Sequence, residues 1–188
     1  MSPFNLSKKE RKAIMDYSKA CLLNLLNLSN DGILKQKNPL FFSIYKQGQL
    51  RGRAGVIDSK KIIAYNLKRL VKAAAFEDPR FNPVSKEEFP ELELEVSILG
   101  DYELIEAKSP HELLDSFELG VHGLLLRKKL ISAVSLPQEA EEGKMSRMEF
   151  VSMLCQKAGL RSLDWWKARM LKIYRFTVLI LKEDFQKF

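Results

Sequence analysis

A strictly alternating segment in the middle of the chain, residues 91–98, constrains the fold more than any other feature. It reads Glu-Leu-Glu-Leu-Glu-Val-Ser-Ile. Because successive side chains of a β-strand point to opposite faces, its apolar residues share one face and its three glutamates share the other. The segment therefore predicts a strand with one face on a hydrophobic core and a polar opposite face.

Further strand patterns stand on both sides of this segment. Residues 40–45 are rich in aromatic and β-branched side chains, and residues 50–57 return after a turn at Gly48, which predicts a hairpin. A second hairpin is predicted within residues 123–136. Residues 174–180, in which Tyr, Phe, Val and Ile occupy every second position, predict one last strand.

Helices are predicted where a capping residue precedes an apolar residue at every third or fourth position. Four serines fit this rule: Ser7, Ser59, Ser109 and Ser146. The apolar face after Ser59 consists of Ile63, Leu67, Leu70, Val71 and Ala74. Hairpins mixed with helices predict an α+β fold, with a largely antiparallel sheet and flanking helices. No repeat or long linker divides the chain, so residues 1–188 are predicted to form a single domain.

Composition excludes several classes of protein. With 46% apolar and 29% charged residues, the 188-residue chain can bury a core, which excludes a disordered protein. No apolar run approaches the ~20 residues that a membrane span needs, so no membrane partner and no secretory leader are expected. Two cysteines are too few for a disulfide scaffold and fit a cytoplasmic location.

The net charge of +7 is unevenly distributed. Residues 1–76 hold 15 basic and 4 acidic side chains (+11), residues 77–118 hold 3 and 13 (−10), and residues 119–188 hold 13 and 7 (+6). Such blocks can steer a charged partner. The alternative is that the blocks pair with each other or face water.

The densest unusual stretch is Leu-Arg-Gly-Arg-Ala-Gly at residues 50–55. In a regular strand, Arg51 and Arg53 share a face, while Gly52 and Gly55 permit a close approach to the backbone. Two adjacent guanidinium groups can hold a carboxylate or phosphate by bidentate hydrogen bonds, which predicts an anion site. The alternative is that the arginines pair with the glutamates at 91, 93 and 95.

A second dense stretch is Phe-Glu-Asp-Pro-Arg-Phe at residues 76–81. Asp78 and Arg80 are added to the candidate ligand-binding residues because they flank a proline-constrained loop. The competing interpretation is that the two side chains lock the turn as a hydrogen-bonded pair, with the phenylalanines pinning the loop to the core.

Two residues in the second half of the chain suggest acid–base chemistry. Histidine is the usual acid or base near neutral pH, so His122 is the one candidate catalytic residue, and Gln138 can recognise a polar ligand at the start of a predicted acidic loop. The alternative is a structural role for both. Trp165 and Trp166, beside basic residues, could stack on nucleic-acid bases or seal the core.

The sequence motifs of other common kinds of functional site are missing from this chain. The sequence contains neither G-x-x-x-x-G-K-[ST] nor G-x-G-x-x-G, so the common phosphate-binding loops are missing. Cys21, Cys155 and the two histidines have no zinc spacing, so no metal site is predicted. Both cysteines lie on apolar helix faces and are predicted to pack in the core, and no particular cofactor is indicated.

Taken together and in order, these stretches resemble the AMMECR domain family, which is named for the AMME-syndrome candidate gene. The resemblance covers roughly residues 8–178 and rests on an ordered set of short motifs. They are Leu50–Gly52 with Gly55, Ala74–Phe81, Leu92–Ser97, His122–Leu124, Leu136–Gln138, Leu154–Leu160 and Ile173–Phe176.

The resemblance implies a two-lobed α+β domain without a securely assigned reaction. It also implies association with a Memo-type protein and with a radical S-adenosylmethionine protein. The family motif reads Leu-Arg-Gly-Cys-Ile-Gly, whereas this chain has Arg53 in place of the cysteine and Ala54 in place of the isoleucine. Thiol chemistry at this position is therefore excluded here.

Three functions follow from these observations. The first is a binding or scaffold protein that recognises an anionic ligand or partner through Arg51 and Arg53. The second is an enzyme acting on a small molecule or RNA, with His122 and Gln138 in its site. The third is nucleic-acid binding by the basic first block.

Overall fold

The computed structural model describes residues 35–161 and 171–184. These residues fall into two compact units, residues 35–98 with 179–184 (unit 1) and residues 99–161 with 171–178 (unit 2). Each unit has a four-stranded sheet with helices. The predicted α+β class with antiparallel sheets and flanking helices is confirmed, and the single domain over residues 1–188 stays a prediction.

The elements fit the mixture of hairpins and helices expected from the sequence. In chain order they are β1 (Leu40–Lys46), β2 (Gln49–Val56), α1 (Ile63–Phe76), a 3-10 helix (Lys86–Glu91), β3 (Leu92–Leu99), β4 (Glu103–Leu104), α2 (Pro110–Asp115), β5 (Gly123–Lys128), β6 (Ile131–Ser135), α3 (Pro137–Glu142), α4 (Arg147–Lys157), β7 (Lys172–Phe176) and β8 (Val178–Asp184). The predicted helix after Ser7, Cys21 and the two tryptophans lie outside the described residues.

The sheet of unit 1 has the strand order β2-β1-β3-β8. The first hairpin is confirmed, and its two turn residues have positive φ, 51° at Gln47 and 73° at Gly48, as a tight hairpin turn requires. The register shifts between Ile44 and Tyr45, where one extra residue of β2 forms a bulge around Arg51. Beyond the bulge Arg53 pairs with Ser43; an uninterrupted register would have placed Arg53 opposite Phe42.

The core of unit 1 lies between this sheet and α1. The predicted apolar face of α1 is confirmed, since all five of its residues are buried. The predicted cap is wrong: α1 begins after Ile62 without a side-chain cap, while the Ser59 hydroxyl donates to the Lys61 carbonyl and accepts from the Asn66 amide. The alternating segment is also confirmed, because its apolar residues join this core: Leu92, Leu94, Val96 and Ile98.

Unit 2 has the strand order β4-β7-β5-β6 and its own core against α4. The predicted hairpin is β5–β6, and the predicted caps are confirmed, with Ser109 accepting from the Glu112 N–H and Ser146 from the Glu149 N–H. Cys155 is a buried free cysteine within this core, as predicted for a packing residue.

Two predictions for the second half of the chain are wrong. The acidic stretch after Leu136 is a helix, α3, rather than a loop, because Pro137 at its first position suits a helix start. The predicted last strand is two strands that belong to different sheets, β7 and β8. The chain leaves one strand for the other at Thr177, whose carbonyl accepts from the Gly100 N–H.

The chain enters unit 2 after β3 and returns from it into β8, and these two strands are neighbours in the sheet of unit 1. Unit 2 is thus inserted between two adjacent strands. Within residues 35–161 and 171–184, no helix is both long and apolar enough to cross a bilayer.

Candidate functional site

Arg53 lies on the face of the unit 1 sheet opposite α1, and its guanidinium is held in place by hydroxyl groups of the neighbouring strand. Its Nε donates to Ser43 Oγ at 2.8 Å and one terminal nitrogen donates to Tyr45 Oη at 2.6 Å. The guanidinium carbon also lies 5.9 Å from the centre of the Tyr45 ring, within the range of a cation–π interaction. Two hydrogen bonds and one ring therefore fix the orientation of a partly exposed cation.

The hydroxyl groups around Arg53 extend to a buried carboxylate on β3. Glu95 is 1% exposed, and its Oε1 accepts longer hydrogen bonds from Tyr45 Oη at 3.4 Å and Ser97 Oγ at 3.3 Å. Its Oε2 lies 3.1 Å from Lys182 Nζ on β8. A buried carboxylate needs an opposite charge close to it, and the largely exposed side chain of Lys182 provides that charge for Glu95.

Asp78 fixes the backbone beside Arg53. Its carboxylate accepts hydrogen bonds from the backbone N–H groups of Arg53 at 2.9 Å and Arg80 at 3.1 Å, and from the Arg80 guanidinium at 3.0 and 2.7 Å. The Arg80 side chain and these N–H groups lower the pKa of Asp78 to about 2, although burial acts in the opposite direction. Asp78 therefore stays ionised at neutral pH, and the locked turn proposed from the sequence is confirmed.

The loop around this turn is only partly attached to the core. Phe76 packs against the core of unit 1, as expected. The Arg80 guanidinium lies 5.3 Å from the ring centre of Phe81, and about half of the Arg80 side chain is exposed.

Arg51 is held by a different set of groups from those described for Arg53. It donates to both carboxylate oxygens of Glu88, at 2.9 and 3.0 Å, and to the Asn82 carbonyl at 2.8 Å. Burial alone would raise the pKa of Glu88, but hydrogen bonds from Arg51 and from the Ser85 N–H lower it below its ordinary value. The glutamate that pairs with Arg51 is thus Glu88, and the bulge interrupts the regular strand that the sequence argument assumed.

The two glycines of the motif face different neighbours. A Cβ at Gly52 would overlap the backbone carbonyl oxygen of Ala74, so this glycine lets α1 approach β2. A Cβ at Gly55 would overlap the Phe41 ring, which covers that position from the same face as Arg53. Both glycines permit close packing, as the sequence suggested, but the group that approaches belongs to the protein itself.

The remaining two predicted site residues, His122 and Gln138, belong to unit 2. Nδ1 of His122 accepts from the Glu118 N–H at 3.1 Å, and the His122 N–H donates to the Glu118 carbonyl at 2.9 Å, which closes a turn. Gln138 is 6% exposed in the first turn of α3. The β5–β6 register pairs Leu124 with Ser135, so His122, just before β5, and Gln138, shortly after β6, adjoin the same open end of that hairpin.

Several residues of the unit 1 network were missed in the sequence: Ser43, Tyr45, Glu88 and Lys182. Ser43 and Tyr45 alternate with Phe42 and Ile44, which is a detectable signal for a polar strand face. Pairing them with Arg53 required the bulge, which no simple pattern reveals. In the described ranges, no three side chains of the types that bind metals cluster as an ion would need.

Known proteins resemble this chain over most of its length and not only at one motif. A protein of Methanothermobacter thermautotrophicus is 34% identical over 152 residues, which cover 81% of this chain and 79% of that protein. A protein of Saccharolobus islandicus is 34% identical over 178 residues, covering 92% and 78%. The crystal structure of an uncharacterized protein from Pyrococcus horikoshii superposes with a TM-score of 0.76 at 27% identity, covering 96% of this chain and 94% of that one.

The motifs that carried the resemblance are therefore found in a fold shared with these archaeal proteins. The sequence profile of the AMMECR1 family matches residues 10–181, which include both units and every element described above except the end of β8. The chain belongs to the AMMECR1 family.

Proposed function

We propose that this protein is a binding or scaffold protein whose Arg53 recognises a carboxylate or phosphate group of its partner. The observation that carries the proposal is the fixed guanidinium, held by Ser43 and Tyr45 while its side chain stays partly exposed. An arginine that is already oriented loses less conformational freedom when it binds an anion. The planar group then favours an anion that can accept two parallel hydrogen bonds.

The other residues of the proposed site act through Arg53. Asp78 accepts a hydrogen bond from the Arg53 backbone N–H. Arg80 forms an ion pair with Asp78, and its half-exposed guanidinium adds a second positive charge to the site. Arg51 is bound to Glu88, so its charge is largely matched and it braces the segment around residue 82. Gly52 and Gly55 contribute by letting α1 and Phe41 approach the strand.

The family resemblance supplies the first partners to test. A Memo-type protein and a radical S-adenosylmethionine protein are the partners that it implies. The proposal requires that at least one of them presents an anionic group to Arg53.

The experiment titrates each purified partner protein into this chain by calorimetry. Arg53→Glu should weaken binding at least tenfold, because truncating or reversing a central arginine of an interface costs more than about 1.4 kcal/mol. Arg53→Cys, which restores the family residue, separates loss of the charge from its reversal. Lys68→Glu, an exposed change on α1, should alter the affinity by less than about twofold.

Thermal melting of every variant serves as the folding control. If Arg53→Glu melts like the wild type and binds both partners with unchanged affinity, Arg53 is not the recognition residue. If neither partner binds the wild-type protein, the proposed partnership is rejected.

A second candidate function, an enzyme with His122 and Gln138 in its site, is favoured by one observation. One residue precedes and the other follows the β5–β6 hairpin at its open end. Because Nδ1 of His122 accepts a backbone hydrogen bond, the proton of the neutral ring lies on Nε2, which could serve as an acid towards a ligand. His122→Gln should then abolish turnover of a substrate while Arg53→Cys leaves it intact, and equal loss in both variants would count against this site.

A further inference from the structure

The tip of the β5–β6 hairpin exposes two adjacent large apolar residues. Lys129 adopts a positive φ of 52°, and Leu130 beside it is 101% exposed. The next residue, Ile131, is 43% exposed. A single exposed leucine is ordinary, but two adjacent aliphatic side chains at a protruding turn form a small apolar tip.

Positive charges surround this apolar tip. Lys128 and Lys129 precede Leu130 directly, and Lys172 of β7 lies in register with Arg127 of β5 at the same end of the sheet. Throughout the described residues, the side chains of these three lysines have no hydrogen-bond or ion-pair partner. The tip therefore combines unscreened cations with apolar side chains that no other described element covers.

The base of the hairpin is packed into unit 2, which anchors the tip. Arg127 lies against two tyrosine rings, 5.6 Å from the centre of Tyr102 and 5.8 Å from that of Tyr174. Leu124 and Leu126, further along β5, are fully buried in the core of unit 2. The exposed residues are consequently held at the end of an anchored two-stranded ribbon.

We propose that this tip adsorbs to an anionic lipid surface, with Leu130 entering the interface and the lysines contacting headgroups. An anionic lipid surface offers both an apolar interior for the aliphatic side chain and negative headgroups for the lysines. Adsorption of this kind needs no spanning helix, so it departs from the sequence-based expectation of no membrane partner, which rested on spanning segments alone. It is independent of the proposed role of Arg53, which belongs to unit 1.

A nucleic acid is the competing occupant, and the composition of the tip disfavours it. Phosphates would attract the lysines equally well, but single-stranded nucleic acids gain their further affinity from aromatic stacking. The exposed side chains here are aliphatic and have no face on which a base could stack. Leu130 would then contribute nothing to binding.

The experiment measures co-sedimentation of the full chain with vesicles of phosphatidylcholine alone or with 30 mol% phosphatidylserine, at about 0.1 and 0.5 M salt. The wild type should bind the anionic vesicles, and the higher salt concentration should weaken this binding. Leu130→Ser should weaken it about tenfold or more. The double change Lys128→Glu and Lys129→Glu should weaken it by at least about 25-fold, roughly fivefold for each lysine charge lost.

Lys68→Glu combined with Arg69→Glu is the matched control, since it makes the same change of charge on exposed positions of α1. It should leave most of the vesicle binding intact. The proposal is overturned if the wild type does not bind anionic vesicles or if Leu130→Ser binds them like the wild type. It is also overturned if the control loses as much affinity as the double change at Lys128 and Lys129.

A parallel titration with a 20-nucleotide oligouridine separates the two occupants. Binding of the oligonucleotide that depends on Lys128 and Lys129 but not on Leu130, without vesicle binding, would assign the tip to nucleic acid and overturn the lipid proposal. The tip variants should retain any binding that depends on Arg53. Loss of one activity without the other thus tells the two proposals apart.

Discussion

Replacing Gly52 by alanine should destabilise the protein through a single steric contact. The added Cβ would overlap the carbonyl oxygen of Ala74 and lie 3.1 Å from its carbonyl carbon. Both atoms belong to the backbone of α1, so no side-chain rotation can relieve the overlap. Gly52 does not have a positive φ, which means that alanine is otherwise acceptable at this position.

The magnitude follows from how α1 must respond. The helix has to move away from the sheet by roughly 0.5–1 Å, and a gap of that size forfeits a quarter to a half of each dispersion contact across the interface. The affected residues include Leu70, Val71 and Ala74, all of which are buried. Overpacking of a core costs about 1–3 kcal/mol of stability. Because the obstacle at Gly52 is backbone, we expect Gly52→Ala to cost about 3 kcal/mol, the upper end of this range.

Urea unfolding followed by circular dichroism measures this cost, and two other glycines calibrate it. Gly55→Ala meets only the partly buried Phe41 ring, which can rotate, so it should cost about 1 kcal/mol. Gly48→Ala has open space but a φ of 73°, so it should cost about 1–2 kcal/mol through backbone strain. The steric argument is refuted if Gly52→Ala lies within about 0.5 kcal/mol of the wild type, or if Gly55→Ala is the more damaging of the two.

Two further predictions concern ionisation and helix capping. Because the folded pKa of Asp78 is about 2 and its ordinary value is 3.8, its ion pair stabilises the protein by about 2 kcal/mol above pH 4, and this contribution disappears as the pH falls towards 2. Unfolding of Asp78→Asn should therefore differ from the wild type at pH 7 and much less at pH 2.5; an equal difference at both values would contradict the assignment. Ser146→Ala removes the hydroxyl that accepts the Glu149 N–H and should cost about 1 kcal/mol in urea unfolding. Ser132→Ala on the exposed part of β6 should cost almost nothing, and a similar loss in both variants would exclude a specific capping effect.

Local periodicity predicted those elements whose exposed and buried faces are clear in the sequence. The alternation in β3 and the helical spacing in α1 placed the apolar residues on the core face, and both were right, although Glu95 and Ser97 on the other face of β3 are buried as well. The turn at Gly48 was also predictable, because a tight hairpin needs residues that tolerate positive φ.

Features that depend on distant parts of the chain were not predictable in this way. The break at Thr177 is invisible in an apolar alternation that continues from β7 into β8, because only the two sheets decide where the strand changes partner. The pairing of Arg51 with Glu88 rather than with a glutamate of the strand depends on a bulge and a 3-10 helix. Long-range register, rather than residue type, limited the prediction of the candidate site.

The insertion of unit 2 between β3 and β8 has a consequence for synthesis of the chain on the ribosome. When β3 leaves the ribosome, β8 lies about eighty residues further along the chain and has not yet been made. Until β8 arrives, β3 therefore presents an unpaired sheet edge. Early folding of unit 2 would bring the start of β8 close to the end of β3 and shorten the effective loop. The folded unit 2 would then hold the end of β3 and the start of β8 close together until the sheet of unit 1 is complete.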